Sequence, residues 1–223
     1  MRKRNRILVT ALMIAVLTFM AGFQVEALDT EIGETEVFLN GIRQHVRTME
    51  TNLGNLITDI IKENTGADIA VYNGGGIRDS AELGPITLED ATEILAFENE
   101  VETVRMNGYD VLKMLEHSVS SYPEVSGKFL QVSGLRFYFD PSEPAGERVK
   151  DVYVGGERLR MRQDYVVATN EFLVAGGDEY DMFERSEHLE VFETIDTQMF
   201  IEHIQQESPL FPKVEGRIVV LTE

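Results

Sequence analysis

The stretch Ala67-Asp-Ile-Ala-Val-Tyr-Asn-Gly-Gly-Gly-Ile-Arg78 joins a short apolar segment directly to a loop of three consecutive glycines. The part from Ala67 to Tyr72 predicts a short buried strand. Successive glycines allow backbone N–H groups to approach a ligand closely, or to adopt positive φ angles. The loop therefore predicts either a ligand contact or a plain tight turn, because its spacing matches neither a dinucleotide-binding motif nor a P-loop.

Hydrophobic spacing marks further elements on both sides of this stretch. Before it, the apolar positions from Leu53 to Ile61 recur at helical intervals; Thr51 or Asn52 can cap that helix, and Gly66 is placed to end it. The other predicted elements are strands over residues 100–105, 129–139, 149–154, 165–169 and 217–221, and helices that begin at Thr87 and Asn107 or cover residues 197–206. Because strands and helices mix without strict βαβ alternation, we predict an α+β fold.

Residues 1–27 have the layout of a secretory signal peptide. Four basic side chains fall within the first six residues, an uncharged apolar run covers residues 7–23, and Val25-Glu-Ala27 fits a cleavage site. The alternative is an uncleaved anchor, since the apolar run could just span a bilayer. We predict cleavage, an exported protein with no stable membrane insertion, and one domain over residues 28–223.

The charge balance restricts the partners of this chain. The formal net charge is −19, with 39 acidic and 20 basic residues, and there is no cysteine. Such a surface repels nucleic acid and anionic membranes, so we expect no nucleic-acid partner. An anionic ligand would have to be held by a local cluster of arginines against the global field.

Arg43 and Arg47 are candidates for such a cluster. They are spaced i, i+4, so on a helix they would point the same way and could hold one anion together. Arginine suits this because its planar fork bonds phosphate or carboxylate oxygens in pairs. Arg78, at the end of the glycine loop, would add a third positive group. The alternative for the pair is a solvated basic face.

Two phenylalanines stand in polar or glycine-rich surroundings. Phe97 lies in Ala96-Phe-Glu-Asn99, and Phe172 lies in Asn170-Glu-Phe-Leu-Val-Ala-Gly-Gly-Asp178. Facing rings would stack a flat base, while the alternative for each is an ordinary core residue. Asp178 offers a carboxylate that could accept hydrogen bonds from a ribose diol, although glycine and aspartate also form turns.

Taken together, these segments resemble the C-terminal domain of the 5'-nucleotidase family over residues 28–221. Further matching pieces are Leu39-Asn-Gly-Ile-Arg43, Thr51-Asn-Leu-Gly-Asn-Leu56, Gly66-Ala-Asp68, Leu115-Glu-His117, Phe129-Leu-Gln-Val-Ser-Gly134 and Val214-Glu-Gly-Arg-Ile218. The resemblance implies an α+β domain, with a mixed sheet and flanking helices, that binds a nucleotide or nucleoside.

The resemblance also implies a role for individual residues. Phe97 and Phe172 fall on the two rings that sandwich the base, Asn99 falls beside a base-contacting position, and Gly134 falls on a position that lines the base pocket. Arg43, Arg47 and Arg78 fall on arginines that hold the phosphate or ribose end of the ligand, and Asn73 falls near them. Asp178 falls on the residue that bonds the ribose hydroxyls. The chain departs from the family pattern at Ala96, where proline is usual, and at Glu98 and Glu179, where glycine is usual.

In the family that this chain resembles, phosphate hydrolysis takes place on a two-metal site in a separate N-terminal metallophosphoesterase domain. Such chemistry needs clustered Asp, His and Asn ligands. The sequence contains no Asp-x-His, Gly-Asn-His-Asp/Glu or Gly-His-x-His element, and none of its four histidines lies in a ligand-like motif. We therefore expect no catalytic residue and no metal or cofactor in this chain, and divalent metals would belong to the missing domain.

Three functions remain open at this point. The leading hypothesis is an exported nucleotide- or nucleoside-binding domain that is inactive alone. The second is one subunit of a split 5'-nucleotidase whose catalytic metals come from a separate metallophosphoesterase chain. The third is an exported interaction module without a working pocket, because Glu98 and Glu179 add negative charge near an anion site.

Overall fold

The computed structural model describes residues 28–221, so the predicted signal peptide lies outside the described residues. The strands are β1 (Glu31–Thr35), β2 (Ile69–Asn73), β3 (Gly84–Thr87), β4 (Glu100–Asn107), β5 (Leu130–Ser133), β6 (Leu135–Phe139), β7 (Val149–Val154), β8 (Glu157–Arg158), β9 (Asp164–Asn170), β10 (Glu187–Ile195) and β11 (Ile218–Val220). The α-helices are α1 (Asn52–Thr65), α2 (Leu88–Ile94), α3 (Gly108–Val119), α4 (Glu171–Val174), α5 (Asp181–Glu184) and α6 (Asp196–Glu207). A short 3₁₀ helix covers Gly177–Glu179.

The central sheet has five strands in the order β10-β4-β9-β2-β5. The β2–β9 pair is parallel, and the other pairs of this sheet are antiparallel. A four-stranded sheet has the order β11-β6-β7-β8, and β1 pairs with β3. The sheet is therefore mixed, and the predicted α+β class is confirmed.

Hydrophobic cores lie on both faces of the central sheet, because side chains alternate along each strand. In β2, Ile69 and Val71 belong to one core, whereas Ala70 and Tyr72 belong to the other. The first core also takes up apolar residues of α3 and of the four-stranded sheet. The second takes up the apolar faces of α1 and α6. The helices thus flank the sheet, as predicted.

Local sequence signals set the ends of several helices. The Thr51 hydroxyl accepts a hydrogen bond from the Gly54 N–H at 3.0 Å, which caps α1. Gly66 ends the same helix with a positive φ of 65°. Thr87 and Asp90 form the reciprocal capping box at the start of α2. These three predictions are confirmed.

The segment that carries Arg43 and Arg47 is not a helix. Residues 43–48 form consecutive turns rather than a regular helix. The buried Gln131 side chain explains this, because its amide nitrogen donates to the carbonyl oxygens of Val46 and Met49 at 3.0 and 2.8 Å. Its amide oxygen accepts from the Thr51 N–H at 3.0 Å. A side chain from β5 therefore satisfies the backbone groups that a continuing helix would pair.

Two further expectations about strands are corrected. The strand predicted over residues 129–139 is split into β5 and β6 at Gly134, which has a φ of 75°. Strand β10 was not predicted, because most of its nine residues are exposed and it shows no alternation of apolar and polar side chains. It is one of the two edge strands of the central sheet and is held there by pairing with β4.

Among the described residues, no helix has both the length and the apolar character needed to cross a bilayer.

The close approach of the glycine loop to its neighbours generates a stability prediction. A Cβ atom at Gly74 would lie 2.1 Å from the Val46 carbonyl oxygen and 3.1 Å from that of Phe129, both of which are backbone atoms. We expect Gly74→Ala to lower the free energy of unfolding by roughly 1–3 kcal/mol or more, since the backbone must move. Urea denaturation followed by circular dichroism measures this.

Gly127→Ala is the matched control, because its Cβ would meet the nearest atom at 3.4 Å, an ordinary contact. Equal unfolding free energies for the two variants would contradict the packing described.

Candidate functional site

A cleft of about 370 Å³ lies at one edge of the central sheet. The residues that line it are Arg47, Asn73, Gly75, Gly76, Phe97, Asn99, Gly127, Asn170, Phe172 and Asp178. The parallel strands β2 and β9 both end at this edge, at Asn73 and Asn170. The antiparallel strand β4 begins there, because Val101 pairs with Asn170. The loops after β2 and β9 and the loop before β4 therefore converge on one place, as ligand-binding loops do in open sheets.

The aromatic part of the cleft is made by Phe97 and Phe172, which are 58% and 44% exposed. The Arg78 guanidinium lies over the Phe97 ring, 5.4 Å from its centroid. Gly177 packs against Phe172, and a Cβ there would come within 2.6 Å of the ring carbons. Both rings are thus supported on one side while much of their surface stays accessible to a ligand.

A chain of side-chain hydrogen bonds fixes the polar floor of the cleft. Asn170 donates through Nδ2 to Asn73 Oδ1 at 3.1 Å, and Asn73 Nδ2 donates to Asp178 Oδ2 at 3.0 Å. Asn170 Oδ1 also accepts from the Leu173 N–H at 3.0 Å, which caps α4. The ends of β2 and β9 and the Asp178 carboxylate are therefore held in one arrangement.

Asp178 itself sits in a strained turn that His117 supports. Its φ is 53°, a left-handed conformation that residues with a side chain adopt at a cost of about 1–2 kcal/mol. His117 Nε2 lies 2.8 Å from the Asp178 carbonyl oxygen, and because a carbonyl oxygen can only accept, Nε2 carries a proton and donates it. The His117 ring also meets Tyr180 edge-on, at 4.6 Å between centroids. His117 is thus structural, and what it holds in place is Asp178.

Arg47 provides the positive charge inside the cleft. Its side chain is almost fully buried at 7% exposure, and within residues 28–221 its Nε atom has no hydrogen-bond partner. Burial lowers the pKa of the guanidinium, the neighbouring Arg43 and Arg78 lower it further, and Asp178 opposes this. A buried cation is unfavourable by itself, and an anion in the cleft that Arg47 lines would offset its charge.

The structure brings six of the nine sequence-predicted residues into the lining of the cleft. These are Arg47, Asn73, Phe97, Asn99, Phe172 and Asp178. Arg43 and Arg78 do not line it, and they act on Arg47 through their charge. Arg78 is also tied to the glycine loop, donating to the Gly75 carbonyl oxygen at 3.3 Å.

Gly134 does not belong to the cleft. It follows β5, whose antiparallel pairing places Ser133 beside Ala70, so Gly134 lies at the opposite end of β2 from Asn73. A Cβ at Gly134 would meet the Asp68 carbonyl oxygen at 2.1 Å. This contact and its positive φ account for the glycine at this position.

Gly127 and Asn170 are lining residues that sequence reasoning did not single out. Gly127 accepts a hydrogen bond from the Gly75 N–H at 2.9 Å, a contact across 52 positions that no local pattern reveals. Asn170 begins the quoted segment that ends at Asp178, and its place as an N-cap directly after a strand was the available signal.

Within the described part of the chain, no group of three or more His, Cys, Asp or Glu side chains could hold a metal ion. The described residues therefore do not supply the clustered donors that a two-metal hydrolytic centre needs.

Comparison with known proteins places this geometry in context. The family described as "5'-nucleotidase, C-terminal domain" matches residues 31–185. The trifunctional nucleotide phosphoesterase protein YfkN of Bacillus subtilis (strain 168) is 38% identical over 198 residues, covering 84% of the chain and 14% of that protein. A snake venom 5'-nucleotidase of Macrovipera lebetinus is 33% identical over 213 residues, covering 86% of the chain and 52% of the relative.

A solved structure supports the same relation. The crystal structure of a 5'-nucleotidase precursor from Thermus thermophilus matches with a TM-score of 0.86 and 37% sequence identity, over 93% of this chain and 42% of that one. The chain thus spans about half or less of the relatives that it matches.

The backbone around the cleft generates a second stability prediction. Glu98 and Glu179, at the two positions where glycine is usual, have φ angles of 52° and 67°. We expect Glu98→Gly and Glu179→Gly each to raise the free energy of unfolding by roughly 0.5–1 kcal/mol, because relief of the left-handed strain outweighs the greater freedom of glycine in the unfolded chain. Thermal and urea denaturation measure the change.

The alanine variants at the same two positions are the controls. They remove the same charge but keep a Cβ atom, so they should not gain stability. If glycine and alanine gave equal changes, charge rather than backbone strain would be responsible.

Proposed function

Because the chain belongs to the 5'-nucleotidase family as a homologue of its C-terminal domain, we propose that it binds nucleosides and nucleotides in the cleft formed by Phe97, Phe172, Arg47 and Asp178. One observation supports this most strongly. A buried, incompletely paired guanidinium and a fixed carboxylate share a cleft of about 370 Å³ with two accessible aromatic rings. A nucleotide offers a matching partner for each of these groups.

The base would stack on the aromatic part of the cleft. Phe97 and Phe172 line the same cleft and keep accessible ring surface, so a flat base can cover both rings by stacking between them. Each ring contributes about 1–3 kcal/mol to such binding. The glycine loop allows the remaining edge of the ligand to approach the backbone of residues 74–76.

The sugar and phosphate would occupy the charged end. Asp178 keeps a carboxylate in the cleft that can accept hydrogen bonds from ribose hydroxyls, while Asn73 holds its Oδ2 atom. Arg47 lies close enough to Asp178 for their charges to interact, and Arg43 and Arg78 add positive potential. This local cluster would attract a phosphate although the whole chain has a net charge of −19.

Hydrolysis would require groups that the described residues lack. We propose that the chain is inactive alone, and that a separately encoded metallophosphoesterase chain would supply the divalent metals. The matched relatives are about two to seven times longer than the segment they share with this chain, so they have room for such a domain. Export follows from the signal-like residues 1–27 and agrees with a relative named for its occurrence in venom.

Removing one aromatic ring tests the proposed base site. We expect the wild-type chain to bind adenosine and AMP. Phe172→Ala should lower the affinity for both ligands by about five- to hundredfold, since one stacking face is lost. Isothermal titration calorimetry on residues 28–223 measures the dissociation constants.

Phe211→Ala is the matched control, because Phe211 is likewise exposed, at 58% against 44% for Phe172, but lies outside the cleft. Absence of binding heat from a folded wild-type sample, or an equal loss in the two variants, would contradict the proposal.

Replacing the buried cation separates phosphate binding from nucleoside binding. We expect Arg47→Met to lower the affinity for AMP about tenfold or more relative to the affinity for adenosine, because a charge-assisted bond to phosphate is worth about 1.5–3 kcal/mol. The same change should raise the free energy of unfolding, since an unpaired buried charge is removed. Titration with both ligands and urea denaturation measure the two effects.

Arg158→Met is the control for loss of one positive charge, because Arg158 is exposed and pairs with Asp151 away from the cleft. An unchanged ratio of AMP to adenosine affinity in Arg47→Met would show that Arg47 does not contact the phosphate.

A further inference from the structure

A cluster of buried polar groups lies directly behind Asn99. Tyr72 is fully buried, and Asp196 and Thr197 are each 2% exposed. Asn99 lines the cleft and is itself only 7% exposed, so it connects this cluster with the ligand space. Buried polar groups are retained at a cost unless their hydrogen bonds are satisfied, and a fully bonded cluster holds its members in one arrangement.

The Asp196 carboxylate accepts hydrogen bonds from three donors. Oδ2 accepts from the Tyr72 hydroxyl at 2.7 Å and from Asn99 Nδ2 at 3.0 Å. Oδ1 accepts from the Thr197 N–H at 2.7 Å, while the Thr197 hydroxyl donates to the Leu95 carbonyl oxygen at 2.7 Å. Asp196 is also the first residue of α6, where a negative charge is favoured by the helix dipole. The carboxylate is the acceptor in each of its hydrogen bonds.

These bonds determine which way the Asn99 amide faces. An ionised carboxylate can only accept, so the Asn99 NH₂ group, and not its oxygen, must point to Asp196. The Asp196 N–H also donates to the Asn99 backbone carbonyl oxygen at 2.9 Å, which holds the two residues side by side. Across residues 28–221, Asn99 Oδ1 accepts no hydrogen bond. It also does not belong to the unpaired side-chain atoms that are inaccessible to solvent. This oxygen is therefore the amide atom that is open to the cleft.

We infer that Asp196 is a positioning residue that fixes the Asn99 oxygen toward the ligand, so that the cleft favours a base which presents an N–H donor to Asn99, as the exocyclic amine of adenine does. The inference rests on the proposed function and adds the polarity of base recognition. A base with only acceptors on that edge would leave the Asn99 oxygen facing a second acceptor, which loses a bond and adds repulsion.

Burial and hydrogen bonding act on the Asp196 carboxyl in opposite directions. Burial is the larger effect and raises the pKa above its ordinary value, while the hydrogen bonds from Tyr72, Asn99 and Thr197 lower it in opposition. The bonded donors thus favour the ionised, accepting form on which the orientation of Asn99 depends.

Adenosine and purine riboside form the test pair, because the second ligand has the same ring system without the amine. With wild-type protein at pH 8, we expect calorimetry to give an affinity for purine riboside that is about tenfold lower. In Asp196→Asn, the Thr197 N–H should keep an oxygen at the Oδ1 position, so the new NH₂ group faces Asn99. Asn99 can then turn its own NH₂ group to the cleft, and the affinity ratio should fall to about one or reverse.

Tyr72→Phe is the matched control. It removes a buried hydroxyl from the same cluster but leaves the Asp196 carboxylate to accept from Asn99, so the ratio should stay as in wild type. If Asp196 and Tyr72 contributed only to stability, both variants would have altered unfolding free energies, but neither would have an altered ratio of adenosine to purine riboside affinity. If Asp196→Asn does not fold, Asn99→Ala should give a ratio of about one while stacking preserves binding of both ligands.

Equal affinities of wild-type protein for the two ligands would overturn the inference and leave the proposed function intact. A ratio that persists in Asp196→Asn or in Asn99→Ala would also overturn it. Failure of the folded wild-type protein to bind either ligand would overturn the proposed function, and this inference with it.

Discussion

The parallel pairing of β2 with β9 is the contact on which the cleft depends. Ala70 pairs with Ala168, so the two strands run in the same direction and end together at Asn73 and Asn170. These two side chains then bond to each other, and Asn73 carries the connection on to Asp178. Without this pairing, the glycine loop after β2 and the segment after β9 would lie at different edges of the sheet. One backbone register therefore assembles the floor of the site.

The groups around this floor are held in states that are unfavourable for the free protein. Arg47 is buried beside other cations, and Glu98, Asp178 and Glu179 have left-handed backbone conformations. Strain and uncompensated charge of this kind persist where the surrounding structure enforces them, and they concentrate at ligand sites. Here the enforcing contacts include the His117 bond to the Asp178 carbonyl oxygen. Maintaining the preformed cleft therefore lowers the stability of the fold.

Sequence reasoning predicted the features that depend on nearby residues and missed those that depend on distant ones. The cap at Thr51 and the stop at Gly66 are set within one helical turn, so their residue types reveal them. The turn that carries Arg47 depends on Gln131, some eighty positions away, and no local pattern contains that contact. The exposed edge strand Glu187–Ile195 has no apolar alternation, so its pairing alone defines it. Asp196 was missed for the same reason, because its partners come together only in the folded chain.

The proposed function depends on the accessible rings of Phe97 and Phe172 enclosing a base. Nuclear Overhauser effects between bound adenosine and phenylalanine-labelled protein test this most directly, with the ring signals assigned by Phe97→Leu and Phe172→Leu substitutions. We expect contacts from the adenine H2 and H8 protons to both rings, together with upfield shifts of those protons from stacking. Bound adenosine with contacts to other phenylalanines, and none to these two, would contradict the claim.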